Sequence, residues 1–321
     1  MTAIDVERLS VHFHARAGSV MAVDEVTMNV PPGAVVGLVG ESGSGKSTLA
    51  RAIVGLVSPT SGSIRIDGAD LATLSAGATR RARLPVQMIF QDPNSSLNPR
   101  MTVGAALSEA LGARERVGRA TRDEVADLLD LVTLDRRVAS AYPRELSGGQ
   151  RQRVAIARAL AVKPDVLICD EVTSALDASV TGAIRNLLRD LRRELGLSIL
   201  FISHNLAVVR YVSDQIGVMY LGRVVEFADA EALVRSPEHP YTRALLDAVP
   251  RLGGVDVEEP ATLERDVDDL QPPEQGCAYL PRCPVGPLVD QSRTVCAAED
   301  PQDEATSRRH EAACHFARAE S

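Results

Sequence analysis

The sequence predicts an α/β protein with a buried parallel sheet, an antiparallel β edge, a helical insertion and a small cysteine-rich C-terminal segment. Three observations predict it. Apolar runs of strand length, AVVGLVG (34–40), DVLICD (165–170) and LSILFIS (197–203), recur with helical stretches between them. Continuous apolar strands separated by helices read as a parallel sheet covered on both faces. Between about Asp92 and Tyr142 the pattern becomes helical, and four of the five cysteines fall after residue 276.

Composition is that of a globular chain. Of 321 residues, 45% are apolar and 24% charged, enough to bury a sizeable core in one large domain plus an appendage, or in two domains. No basic stretch followed by an apolar run opens the sequence, and no run approaches the roughly 18 apolar residues of a membrane span. The expectation is a cytoplasmic chain unless a partner holds it at a membrane. The net charge of −8 is concentrated: residues 254–275 carry eight acidic side chains against Arg265, so −7 lies there and −1 in all the rest. A near-neutral body with no basic stripe argues against nucleic acid as the main ligand.

Along the chain, strand 34–40 runs into GESGSGKST, Gly40 to Thr48, with a helix expected from Lys46 to about Leu56. This is the pattern G-x-x-x-x-G-K-S/T between a strand and a helix, the context a phosphate-binding loop requires. Gly40, Gly43 and Gly45 let the backbone curl so that the amides around Glu41, Ser42 and Ser44 point inward at an anion, and the helix N-terminus adds its dipole. Lys46 reaches the β and γ phosphates, and the Ser47 hydroxyl ligates Mg²⁺. In the helical stretch TRDEVADLLDLV, Thr121 and Glu124 form a capping box ahead of the stripe Val125, Leu128, Leu129, Val132. LSGGQRQRVAIARAL (146–160) is a helix capped by Ser147 with Gln150 three positions later and a stripe of Val154, Ala157 and Leu160. Gly148 and Gly149 in its first turn cost roughly 1 kcal/mol each relative to alanine. That cost points to a close backbone approach, an anion at the helix N-terminus being the natural candidate. VMYLGRVVEFA (218–228) reads as a hairpin or edge, and SPEHPYTRALLDAVP (236–250) as a turn into a short helix, followed by the Pro-containing acidic linker.

The order of these motifs resembles the ATP-binding cassette (ABC) ATPases. LSGGQ, with Ser147, Gly148, Gly149 and Gln150, is similar to the family signature. VLICDE resembles the Walker B strand, which implies Asp170 in the Mg²⁺ shell and Glu171 as the base that polarises the attacking water. SALD (174–177) resembles the D-loop, with Asp177 at its end. The resemblance implies His204 as the switch histidine at the γ phosphate, Gln91 as the Q-loop glutamine linking Mg²⁺ to a transmembrane partner, and Phe13 as the ring stacked on adenine. Val172 stands where the family usually has Pro, a departure expected to loosen the turn after Glu171. The fold implied is a RecA-like parallel core with an antiparallel edge and a helical subdomain over about 92–160. One cassette per chain implies a dimer in which Lys46 of one subunit and the signature of the other enclose ATP.

MIFQDPNSSLNPRMTV, HPYTRALLDAVPRL and GCAYLPRCP…ACHF further resemble the ATP-binding subunits of dipeptide/oligopeptide importers, a group that includes nickel uptake systems. This implies an ATPase domain over 1–235 and an extension over 236–321, with a linker at 254–275 and a cysteine tail at 276–316. It also implies a peripheral subunit on the cytoplasmic face of the membrane. Its partners would be a second cassette, identical or distinct, two permease subunits and, indirectly, an extracytoplasmic binding protein. The alternatives are import of nickel or another small solute, or a non-transport ABC ATPase of DNA repair or translation.

The tail cysteines Cys277, Cys283, Cys296 and Cys314 are spaced x5, x12 and x17, with His315 after the last. Disulfides do not suit a reducing cytosol, and the C-x2–4-C knuckles favoured by zinc are absent. Four thiolates on one 4Fe–4S cluster fit the count; zinc and metal-free thiols are the alternatives. The importer family carries this cysteine set with a shorter second gap, so PVGPLVDQSRTV (284–295) reads as an inserted loop. Cys169, beside Asp170, reads as a small buried strand residue.

Overall fold

The computed structural model describes all residues except 1–2, 16–17, 93–95, 116–120, 175–176, 249–272, 274, 302–309 and 318–321. The acidic linker therefore lies almost wholly outside the described residues. Two compact units are present, each assembled from separated segments: 1–5, 29–35 and 64–202 form the first, and 6–28, 36–63 and 203–321 the second. The expected boundary at 235/236 does not coincide with either unit's bounds; the extension from 236 is part of the second unit.

The chain begins with β1 (Ile4–Ala15), β2 (Gly18–Val30) and β3 (Val35–Val39), and then α1 (Lys46–Val54), which belongs to the second unit. All five residues of β3 are buried, as a two-sided apolar strand requires. β4 (Ser61–Ile66) leads into the first unit and pairs antiparallel with the short β5 (Ala69–Asp70).

In the first unit follow α2 (Ala76–Arg83), β6 (Val86–Ile89), and the helical insertion of α3 (Val103–Glu115), α4 (Arg122–Leu131) and α5 (Gly148–Leu160). The capping box expected at Thr121 is formed: the Glu124 amide donates to Thr121 Oγ1 at 3.2 Å, and Glu124 Oε2 accepts from the Thr121 amide at 2.7 Å. Val125, Leu128, Leu129 and Val132 are buried, so the 3.6-residue stripe faces a core. α3 is tied in by its first amide, Val103 N–H to Ala141 O at 2.9 Å, and α5 by Arg153 Nη1, which donates to Val132 O at 2.7 Å. β7 (Val166–Asp170), α6 (Ala178–Leu195) and β8 (Ser198–Ser203) complete the unit, with β6, β7 and β8 parallel in register Val86↔Val166↔Ser198. This is the parallel core that the apolar runs predict.

The second unit continues with α7 (Leu206–Val212), β9 (Gln215–Tyr220) and β10 (Arg223–Asp229). β9 runs parallel to β3, and β10 turns back antiparallel through Leu221 and Gly222, both at positive φ (44° and 86°) as a two-residue hairpin with right-handed strand twist demands. α8 (Ala230–Arg235), α9 (Pro240–Asp247), α10 (Val295–Ala298) and β11 (His310–Ala312) follow, β11 pairing antiparallel with β10. The antiparallel edge thus extends into the cysteine segment. Among the described residues no helix is long and apolar enough to cross a membrane.

Candidate functional site

In the second unit, the loop 40–48 has the curled form its glycines imply. Gly43 and Gly45 take φ of 78° and 100°, and at Gly40 a Cβ would lie 2.0 Å from Met219 O. Neither conformation nor space admits a side chain. Lys46 is 4% exposed, and its ammonium folds back on the loop, donating to Gly40 O (2.8 Å), Glu41 O (2.6 Å) and Ser44 Oγ (2.9 Å). A buried ammonium needs such partners, and phosphate oxygens are of the same kind. α1 starts on Gly45 with no side-chain cap hydrogen bond and no acidic residue in its first turn, an N-terminus of the kind that receives anions. Ser47 and Thr48 stand half-buried in that turn, and Ser42 is exposed at the loop tip. Phe13, on β1, is 43% exposed, a ring available for stacking rather than a core residue. His204 is exposed immediately after β8, ahead of the Asn205 cap of α7.

In the first unit, β7 carries Asp170, 1% exposed, at its C-terminal end. Cys169 beside it is fully buried, and burial pushes its thiol up to about 12. Glu171 has φ of 48°, a left-handed conformation uncommon for a residue other than glycine and typical of strained functional sites. The strain is held on three sides: Glu171 N–H donates to Ile202 O (3.0 Å), while Ser174 N–H and Oγ–H both donate to Glu171 O (3.1 and 2.9 Å). Val172, where the resemblance leads one to expect a looser turn, is buried at 2% exposure, and Ser174 supplies the closure. Gln91, 80 residues away in sequence, donates from Nε2 to Glu171 Oε2 at 2.9 Å.

The signature segment has its predicted cap. The Gln150 amide donates to Ser147 Oγ (3.3 Å) and the Ser147 amide to Gln150 Oε1 (2.9 Å), leaving Ser147 and Gly148 exposed at the start of α5. The requirement for glycine at 149 has a nearer cause than an anion: a Cβ there would stand 2.7 Å from Val180 Cγ1 of α6. Asp177 is exposed at the N-cap of α6; Ala175 and Leu176 of the D-loop segment lie outside the described residues, as do Pro93, Asn94 and Ser95 after Gln91.

The four tail cysteines are brought together in the second unit. Cys277, Cys283, Cys296 and Cys314 line one cavity with Tyr279 and His315, of about 10 Å³, room for roughly one water. The long second gap does not separate them: Arg293 Nη1 donates to Val285 O (2.6 Å), closing the loop 284–295 on itself, and Cys277 N–H donates to Cys296 O (2.8 Å). Gly276, at φ 83°, permits that approach. Burial pushes all four thiols upward, Cys277 to about 12 and Cys314 to about 11. The Tyr279 hydroxyl is buried without a partner among the described residues. The donor set is therefore soft sulfur, but among the described residues no three His, Cys, Asp or Glu side chains converge closely enough to hold one metal ion.

Sequence reasoning did not single out the polar network beside this cavity. Glu226, 1% exposed, accepts from the Glu238 and His239 amides (2.8 and 2.9 Å) and pairs with His310 Nε2 (2.7 Å). Burial pushes its carboxyl upward, and hydrogen bonds led by that of His310 outweigh burial and hold it below the ordinary value. His239 Nδ1 accepts from Tyr241 N–H at 3.1 Å, capping α9. The lone hint in the sequence was HPYTR, a His-Pro pair at a helix start.

An ABC transporter family model matches residues 23–174, and one for the C-terminal region of oligopeptide/dipeptide transporters matches 225–286. A putative peptide import ATP-binding protein of Brucella ovis is 45% identical over 312 residues, 97% of this chain and 96% of that protein. The oligopeptide transport ATP-binding protein OppF of Salmonella typhimurium is 43% identical over 307 residues, covering 91% and 92%. Among solved structures, the dimeric post-hydrolysis state of the ATP-binding cassette MJ0796 with ADP and Pi superposes with a TM-score of 0.65 at 29% identity, over 71% of this chain and 98% of that one. CbiO1 of Clostridium perfringens gives 0.62 at 29% identity, over 72% and 90%.

Proposed function

Because the chain belongs to the ABC transporter ATPases, and among them to the ATP-binding subunits of oligopeptide/dipeptide importers, we propose that it hydrolyses ATP to drive peptide import through a membrane permease. The relatives named for peptide import match it nearly end to end, which favours this reading over a non-transport ATPase. The observation that carries the hydrolytic part is the hydrogen bond between Gln91 and Glu171, next to the buried Asp170. Two polar residues far apart in sequence meet there at the end of one strand.

In this reading Lys46 leaves the loop carbonyls for the β and γ phosphates, and the loop from Glu41 to Thr48 wraps them. Ser47, Gln91 and Asp170 would hold Mg²⁺, which would supply positive charge against the triphosphate. Glu171 orients water for in-line attack on the γ phosphorus: the new P–O bond forms as the bond to ADP breaks, and the water's proton passes to Glu171. His204 contacts the γ phosphate, Phe13 stacks on adenine, and Ser147, Gly148 and Gly149 of a second cassette, identical or distinct, close over the γ phosphate with Asp177 at the seam. Loss of the γ phosphate releases the halves, and two permease subunits fed by a binding protein convert that motion into transport. The subunit would sit peripherally on the cytoplasmic face. The ATPase function belongs to 1–235 and a family-specific extension to 236–321.

For the tail, we propose that Cys277, Cys283, Cys296 and Cys314 hold a 4Fe–4S cluster, with zinc as the alternative ligand. A shared cavity and an all-sulfur donor set support it, and occupation requires the cavity to widen and the thiols to ionise. Such a centre would add stability to a segment poor in apolar residues.

The test of the ATPase reading is Glu171→Gln: it should trap an ATP-bound dimer seen by sedimentation. A variant that stays monomeric with ATP, or turns over undiminished, contradicts the assignment.

A further inference from the structure

The cysteine segment grips the phosphate loop at one residue. Between Cys277 and Cys283 the chain makes a tight turn, Leu280–Arg282, closed by Arg282 N–H on Tyr279 O (3.0 Å). The side chain of Arg282 is 2% exposed and meets the Glu41 carboxylate with both arms of its fork, Nη1 to Oε2 at 3.0 Å and Nη2 to Oε1 at 3.3 Å. Burial works against the Arg282 charge, and pairing with Glu41 outweighs it, so the guanidinium is held more firmly protonated. Glu41 is the second residue of the loop, and its backbone is held as well: its amide donates to Tyr241 Oη (3.0 Å) and its carbonyl accepts from Lys46 Nζ (2.6 Å). Tyr241, fully buried, packs in turn on Tyr220 and Tyr279 at centroid distances of 4.7 and 5.5 Å.

A carboxylate in a loop that receives a triphosphate is a liability. At an intermediate dielectric, a like charge about a loop's width away weakens binding by roughly tenfold. A planar, bidentate, buried arginine both cancels that charge and fixes its direction, which lysine would do less well. We infer that Arg282, seconded by Tyr241, is a positioning residue for the nucleotide: it neutralises Glu41 and holds the phosphate loop in shape, tying nucleotide affinity to the cysteine segment. The inference rests on the ATP reading of the loop. Because Arg282 lies between two of the cysteines, whatever reorganises the thiols acts on Glu41.

The test is equilibrium binding of Mg-ATP to the full-length chain, by displacement of a fluorescent ADP analogue at low and high salt. Wild-type protein that binds no nucleotide overturns the reading of the loop, not this inference alone. With wild-type binding in hand, Arg282→Ala should weaken it about tenfold, and the loss should shrink at high salt because charge repulsion is screened. Adding Glu41→Gln should restore binding to within about threefold of wild type, since the repelling charge is gone. Unchanged affinity in Arg282→Ala, a loss insensitive to salt, or a double variant as weak as the single each overturns the proposal. Should Arg282→Ala fail to fold, Arg282→Gln, which keeps length and a donor without charge, carries the same three readings.

Discussion

Residue by residue, the nucleotide chemistry is the most legible part of this protein, because phosphate binding constrains backbone and side chain together. Gly43, Gly45 and Lys46 could be assigned from spacing, and the loop adopts the positive φ values and the buried ammonium that the spacing implies. Gly149 carried a different lesson. Its cost in the first turn of α5 was read as room for an anion, yet its nearest demand is the Val180 methyl of the following helix. One sequence cannot separate a glycine kept for a ligand from one kept for a neighbour. Glu171 is the opposite case: nothing local announces a left-handed residue, and the closure by Ser174 and Ile202 became visible only in three dimensions. The prediction at this scale follows from that geometry. Glu171→Gln keeps the hydrogen-bonding shape and removes the carboxylate proposed as the base, so ATP turnover should fall at least about a hundredfold while the KM for ATP moves little. A steady-state assay with loss confined to KM would assign Glu171 to binding instead.

At the level of elements, helices with complete local signals were read closely: the Thr121 and Ser147 boxes both form, with their apolar stripes buried. The segment 218–228, which reads as a hairpin or edge, forms the β9–β10 hairpin around Leu221–Gly222. What stayed hidden was the docking of the C-terminal elements, which depends on long-range polar contacts among Glu226, His310 and His239, and between Arg223 and Asp24 (2.5 Å) and Asp300. His239 gives this region a pH signature. Burial pushes its imidazole down to about 4, so the folded state keeps it neutral, with Nδ1 free to accept from Tyr241 N–H. Between pH 6.5 and about 4 the unfolded chain binds a proton that the folded chain does not. Stability therefore falls as pH drops through that window, with a slope of up to about 1.4 kcal/mol per pH unit from this group. His239→Asn, which retains a helix cap, should flatten that part of the profile in denaturant titrations at pH 7 and pH 5; equal profiles for the two proteins would remove His239 from the account. The thiol cavity makes its own prediction. Protein purified without oxygen should be brown and carry about four irons per chain, lost on Cys283→Ser; colourless protein with stoichiometric zinc, or none, would rule out the cluster.

Across the whole molecule, the parallel core and helical insertion were predictable from apolar runs and periodicity, whereas the two interleaved compact units were not, since each draws on distant segments. The extension illustrates the limit. Its cysteines stand out by count and the x12 gap reads as an inserted loop, but only the fold of loop 284–295 shows how Cys296 comes back against Cys277. In the proposed function, ATP hydrolysis at Glu171 powers peptide import. Its most direct test is uptake of a labelled oligopeptide by cells in which the chromosomal copy is replaced by wild type or by Glu171→Gln, with equal amounts of the chain confirmed at the membrane. ATP-dependent uptake is expected with wild type, and near-complete loss with Glu171→Gln. Peptide uptake that proceeds equally with both would contradict it.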